Sequence, residues 1–218
     1  MELELLNASV VVLAQEHNPT ILHPAFLAAQ GIVPREWECG EPPICTPAFS
    51  IVKYKTGITF TVEGNRLVVT EEKPAGNPDE SEVPKLALAY VQKLPHVRYR
   101  ALGVNFAGCC LREDPERFLI ETFLKAGPWN DETRPMKALG ARFVYQLEDA
   151  ILRMGLDGGQ VSREGESASA ILVNGNYHSE FPSEKPVDAL CDFLGRWAEL
   201  LGDFTSLSRL ILGMEESQ

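Results

Sequence analysis

The chain has 218 residues, of which 44% are apolar and 23% are charged, which is ordinary for a globular protein with a sizeable core. Its formal net charge is −11, so we expect neither nucleic acid nor an anionic membrane as a partner, because both need clustered Lys and Arg. The five cysteines favour reduced thiols, and the first residues lack the basic start and long apolar core of a signal peptide, so we expect a cytoplasmic protein.

The first part of the chain alternates between extended and helical patterns. The valine-rich run Leu5 to Ala14 predicts a buried central strand, and Pro24 to Gln30 predicts a short helix. Val33 to Pro47 contains four prolines and predicts an ordered loop. Apolar residues at helical spacing predict a helix from Val83 to Leu94. Between these, period-two alternation predicts a three-stranded antiparallel meander over SIVKYK, ITFTVEG and RLVVTEE.

The second part follows the same order. A strand from Tyr99 leads to Asp114 and Pro115, which are the N-cap and first residue of a predicted helix to about Lys125. A hairpin is predicted over residues 142–156, with turns at Asp157-Gly158-Gly159 and at Asn174-Gly175. A last helix is predicted near the C-terminus from apolar residues at helical spacing, which are Val187, Leu190, Cys191, Leu194, Trp197, Ala198 and Leu201.

Matching positions in the two parts predict a tandem duplication. Phe26-Leu27 matches Phe118-Leu119, and the strand of Phe60 matches the strand of Met154. Val83 likewise matches Val187. We therefore predict an α+β fold with halves 1–97 and 98–218, each of them strand, helix, three or four strands, helix. Fused halves would form one curved antiparallel sheet with helices on one side.

This order of elements resembles the duplicated saddle of the TATA-box-binding-protein fold over most of the chain. DNA-binding members of that fold present a basic surface with intercalating phenylalanines, and this acidic chain shows neither feature. The strand of Tyr99, Gly103, Asn105 and Phe106 also resembles a Tyr-x-x-x-Gly-x-Asn-Phe strand of a bacterial family with no established activity. Neither resemblance implies a reaction.

Small and polar residues alternate along the strand that opens the second half. Gly103 and Asn105 are expected on one face of it together with Tyr99, and Lys53 and Lys55 are expected to share that face. Such a surface could receive a ligand or a partner chain, although a solvated outer face is the competing interpretation.

Two tryptophans lie in proline-containing loops at similar places in the two halves. Trp37 and Trp129 suit a protein interface, where a rigid aromatic side chain anchors the contact, and they suit equally well the ends of a core. We therefore predict a protein partner, with a homodimer as the simplest form.

Chemistry-bearing residues are sparse. The best candidates for a metal site are His17, His23, Cys39 and Cys45, but their spacing is not the short spacing typical of zinc ligands. Cys109-Cys110 precedes a helix N-terminus, which can lower a thiol pKa, although cysteine is more often an apolar filler.

These observations favour a non-enzymatic, protein-binding or self-associating module without a cofactor. The alternative is a small-molecule or metal-binding protein, either a pure binding protein or an enzyme, that uses the groove between the halves or the Cys39–Cys45 loop.

Overall fold

The computed structural model describes residues 2–74, 80–129, 133–163, 165–181 and 186–214. In this part of the chain, nine antiparallel strands form one sheet in the order β2-β3-β4-β5-β1-β6-β9-β8-β7. The strands are β1 (Leu3–Ala14), β2 (Ile44–Cys45), β3 (Phe49–Lys53), β4 (Ile58–Glu63), β5 (Arg66–Glu72), β6 (Tyr99–Leu111), β7 (Ala141–Gln146), β8 (Ile151–Arg163) and β9 (Glu166–Glu180). The helices are α1 (Pro24–Ala29), α2 (Val83–Lys93), α3 (Pro115–Phe123), α4 (Pro186–Gly195) and α5 (Trp197–Ile211).

The valine-rich first strand lies in the middle of the sheet, as predicted. β1 pairs with β5 on one side and with β6 on the other, so its apolar residues are shielded on both edges. The predicted meander is confirmed as β3, β4 and β5. In β4 the alternation places Ile58, Phe60 and Val62 in the core and the two threonines on the other face.

The helices pack against one face of the sheet. Leu86, Ala87 and Tyr90 form part of the buried stripe of α2, which contacts β1, β5 and α4. The Phe204 ring of α5 lies beside the Phe106 ring of β6, with ring centroids 5.5 Å apart. These contacts bury Val10 and Val12 of β1 and Val104 and Phe106 of β6.

The turns predicted at Asp157-Gly158-Gly159 and at Asn174-Gly175 are wrong, because β8 continues through the first and β9 through the second. Each glycine instead admits a neighbouring side chain. A Cβ on Gly158 would lie 2.8 Å from the Glu116 carboxyl of α3, and a Cβ on Gly175 would lie 2.6 Å from the Phe204 ring. Close approach of helix side chains, and not chain reversal, is the reason for these glycines.

The last predicted helix is divided. α4 ends at Gly195 and α5 begins at Trp197, with Arg196 between them outside both helices. Arg196 donates to Asp149 and to Glu199, and these bonds fix the corner between the two helices.

The predicted α+β class with a curved antiparallel sheet is confirmed by the nine strands and five helices of the described residues.

Candidate interaction surfaces

A row of side chains crosses the sheet on the face opposite the helices. Directly paired residues point to the same face, so the strand registers define the row without further assumption. We call it the polar row, and from β3 to β7 it consists of Lys53, Thr59, Thr70, Ser9, Asn105, Asn176, Arg153 and Val144.

Three members of the polar row are joined by hydrogen bonds. Asn176 Nδ2 donates to Asn105 Oδ1 at 2.6 Å, and Asn105 Nδ2 donates to Ser9 Oγ at 3.2 Å. Gly103 makes room for this chain, because a Cβ there would lie 3.2 Å from Asn176 Nδ2. The three side chains therefore form an ordered polar strip across β1, β6 and β9.

Some of the residues predicted to form a binding face do lie on one face of the sheet. Gly103, Asn105 and Lys53 lie on the side of the sheet opposite the helices, but Tyr99 does not. A register shift between Leu13 and Ala14 turns Tyr99 into the core, where its hydroxyl lies 3.0 Å from the carbonyl oxygen of Leu94, the residue after α2. The bulge that causes this shift has no signature in the sequence.

Both predicted lysines have carboxylate partners. Lys53 pairs with Glu41 at 3.2 Å, and Lys55 pairs with Glu38 at 2.6 Å in the turn after β3. The hydrogen bond from Lys55 lowers the pKa of the Glu38 carboxyl. Sequence reasoning missed Asn176, because Asn174-Gly175 was interpreted as a turn and the residues beyond it were not assigned to a strand. It also missed Arg153, whose strand was predicted but whose pairing with Asn176 was not.

Strand β7 forms one edge of the sheet. Within the described residues no strand pairs with its outer side, and the side chain of Val144 is 62% exposed. Leu147 N donates to the Ala150 carbonyl oxygen, so by alternation the backbone groups of Arg142, Val144 and Gln146 point away from β8. This edge carries neither proline nor bulge.

The two tryptophans have different environments. The Trp37 ring packs against the Tyr54 ring at 5.2 Å between centroids and is partly buried against the core. Trp129 is 53% exposed, its ring covers Gly127, and its Nε1 donates to the Lys125 carbonyl oxygen. Of the two, only Trp129 is exposed enough for its ring to contact another molecule.

The four candidate metal ligands serve other contacts. His17 is buried with Nε2 3.3 Å from the Val12 carbonyl oxygen, and His23 Nδ1 accepts from Ala25 N at the start of α1. Cys45 Sγ lies 3.6 Å from the Thr20 carbonyl oxygen, and the backbone of Cys39 forms an isolated β-bridge with that of Tyr54. Among the described residues, no group of three His, Cys, Asp or Glu side chains is arranged to hold a metal.

The vicinal cysteines lie near the end of β6. Cys109 and Cys110 are each 1% exposed, and burial raises the pKa of both thiols. Protonated, inaccessible thiols are poor nucleophiles.

Two open cavities lie away from the polar row. The first has a volume of about 780 Å³ and is lined in part by Gln15, His17, His96 and Arg98, at the junction of β1 and β6. The second, of about 1130 Å³, lies between the start of β1 and α5.

No protein-family model matches this chain, and no curated protein matches it either. Among the described residues, no helix combines the length and apolarity that crossing a membrane requires.

Proposed function

We propose that this chain is a non-enzymatic protein-binding module that associates with a second copy of itself through strand β7. The observation that carries the proposal is the outer side of β7, with which no strand of the described residues pairs, and the exposed Val144 on it. Unprotected edge strands are templates for pairing with another chain, and proteins that stay monomeric usually blunt them with lysine, proline or a bulge.

The sequence of β7 is complementary to itself in the antiparallel direction. With Val144 opposite Val144 of the second copy, Arg142 meets Gln146 and Phe143 meets Tyr145. This register places no like charges opposite each other and gives an aromatic pair on the helix side, both of which stabilise a sheet. The outward backbone groups of Arg142, Val144 and Gln146 would all be paired.

The association should be weak and sensitive to salt. A six-residue strand buries less surface than a standard stable interface, so we expect a dissociation constant on the order of micromolar or weaker. Each copy has a net charge of −11, and salt screens the repulsion between copies. Dimerisation should therefore strengthen as salt is raised.

Light scattering coupled to size exclusion, over a range of protein concentrations, tests the proposal. Val144→Lys should give a monomer, because a lysine at the dyad puts two cations opposite each other. Ile44→Lys is the matched control at the other sheet edge, where Ile44 is also exposed, and it should leave dimerisation unchanged. A wild-type monomer at every concentration would overturn the proposal, as would loss of the dimer in Ile44→Lys alone.

The internal duplication belongs to the same proposal, with halves 1–97 and 98–218. It is supported by the sheet order, because β5, β4 and β3 follow β1 on one side as β9, β8 and β7 follow β6 on the other. The contact between α2 and α4 across the β1–β6 pair also supports it. A cytoplasmic location is supported by the five cysteines, all of which are free thiols.

The alternative function, small-molecule binding, is favoured by the cavity that His17, His96 and Arg98 help to line. Arg98 is held there by Gln15 Oε1 at 3.3 Å, and the volume of about 780 Å³ suits a small ligand. A thermal-melt screen tests it, because a ligand of the folded state raises the melting temperature. Stabilisation that is lost in Arg98→Ala would support this alternative.

A further inference from the structure

We propose that the polar row binds an extended acidic peptide segment of a partner protein. This site is separate from the β7 edge and does not require a dimer. Its central part is the hydrogen-bonded strip of Ser9, Asn105 and Asn176, and it carries Lys53 at one end and Arg153 one strand before the other.

The charges of this surface are opposite in sign to those of the whole molecule. The chain has a net charge of −11, yet the polar row contains two cations and no carboxylate. Of the two neighbouring rows, one contains no carboxylate and consists of Ile51, Thr61, Val68, Val11, Gly103, His178 and Ile151. The other contains one carboxylate, Glu72, and one cation, Arg142. A partner with negative groups at its ends complements this strip, while the acidic remainder of the protein disfavours docking elsewhere.

The middle of the row matches the chemistry of a peptide. Asparagine, threonine and serine side chains both donate and accept hydrogen bonds, as peptide groups do. Asn176 is only partly buried, and its Oδ1 is not used in the bonds within the strip, whereas Ser9 is 9% exposed and serves mainly to hold Asn105. Nucleic acid would need more cations, and a sugar polymer would favour aromatic platforms, which none of these rows contains.

The length of the row sets the length of the segment. Lys53 lies on β3 and Arg153 on β8, and six inter-strand spacings separate them. At about 4.8 Å per spacing this is roughly 29 Å. An extended peptide covers that distance with about nine residues.

The two ends are not equivalent. Lys53 is already paired with Glu41, so a ligand carboxylate must compete with that side chain. Arg153 is exposed, and its neighbours across the sheet are Asn176 and Val144. The Arg153 end should therefore contribute more to binding.

The test uses a fluorescein-labelled peptide of about nine residues, with glutamates at both ends and alternating threonine and serine between them. Fluorescence anisotropy at low salt should show saturable binding. Arg153→Glu should weaken binding about tenfold, because it replaces an attraction by a repulsion. Arg117→Glu makes the same charge change on α3, on the helix side, and should alter the affinity by less than about twofold.

Two further measurements complete the test. Asn105→Leu should weaken binding while circular dichroism shows an intact fold, and Val144→Lys, which adds a cation beside Arg153, should bind at least as tightly as the wild type. Absence of saturable binding would overturn the proposal, and so would equal losses in Arg153→Glu and Arg117→Glu. Tighter binding of an oligothymidylate or of heparin, abolished by Arg153→Glu, would assign the surface to an anionic polymer of another class and would also overturn it.

Discussion

Adding one methyl group at Gly175 should destabilise the protein strongly. Gly175 is buried in β9, and a Cβ there would lie 2.6 Å from Cδ2 and 3.0 Å from Cε2 of Phe204. Phe204 is fully buried, and its ring packs against Phe106, so it has no open space to move into. Gly175→Ala must therefore displace a core aromatic ring.

The expected cost follows from overpacking of a filled core. Forcing an extra methyl group into such a site costs about 1–3 kcal/mol of unfolding free energy. For a chain of this size, about 2 kcal/mol corresponds to a melting temperature lowered by roughly 4–8 °C. The backbone adds no further cost, because Gly175 does not have positive φ.

Urea denaturation and calorimetry should be measured on Gly175→Ala and on the matched control Gly155→Ala. Gly155 lies in neighbouring β8, also without positive φ, and a Cβ there meets nothing within 4 Å. The control should keep or slightly raise the stability, because alanine restricts the unfolded chain. In a Phe204→Leu background the added methyl group should cost less than in the wild type.

Equal effects of the two glycine substitutions would refute this reasoning. Equal costs of Gly175→Ala with and without Phe204→Leu would refute it as well. Either result would mean that the Phe204 ring is not what the glycine accommodates.

Three further predictions concern buried polar groups. Burial lowers the pKa of His17 in the folded protein. Below the unfolded-state pKa the unfolded chain therefore binds more protons than the folded one, and the free energy of unfolding decreases as the pH is lowered, by at most about 1.4 kcal/mol per pH unit. His17→Phe should flatten the fall between about pH 6.5 and 5.5 in urea titrations, whereas parallel slopes would contradict this assignment. Tyr177 donates to Asp203 at 2.7 Å, so Tyr177→Phe should cost about 1 kcal/mol. The buried Tyr90 hydroxyl has no hydrogen-bond partner within the described residues, and Tyr90→Phe should cost nothing measurable.

The fold could be predicted from sequence where periodicity decides it. The apolar run of β1, the alternation in β4 and the stripe of α2 each allow one structure only, and those elements were predicted correctly. Gly158 and Gly175 were misinterpreted because a glycine that ends a strand and one that makes room for a neighbouring side chain look alike in sequence. Only the positions of Glu116 and Phe204 distinguish them.

The candidate surfaces could be predicted only in part. Alternation was enough to place Gly103 and Asn105 on one face. It failed for Tyr99, because one inserted residue changes the side to which a strand residue points. Asn176 and Val144 needed the order and register of strands far apart in sequence, which a local pattern does not contain.

The position of β1 has a consequence for how the chain folds. β1 forms the middle of the sheet, yet Ser9 pairs with Thr70 and Asn105, both many tens of residues later. During folding its valines therefore remain exposed to solvent until segments distant in sequence pair with β1. We expect refolding to be slow, on the millisecond-to-second scale, and the partly folded chain to be prone to aggregation. Dilute protein and low temperature should thus improve the yield of refolding.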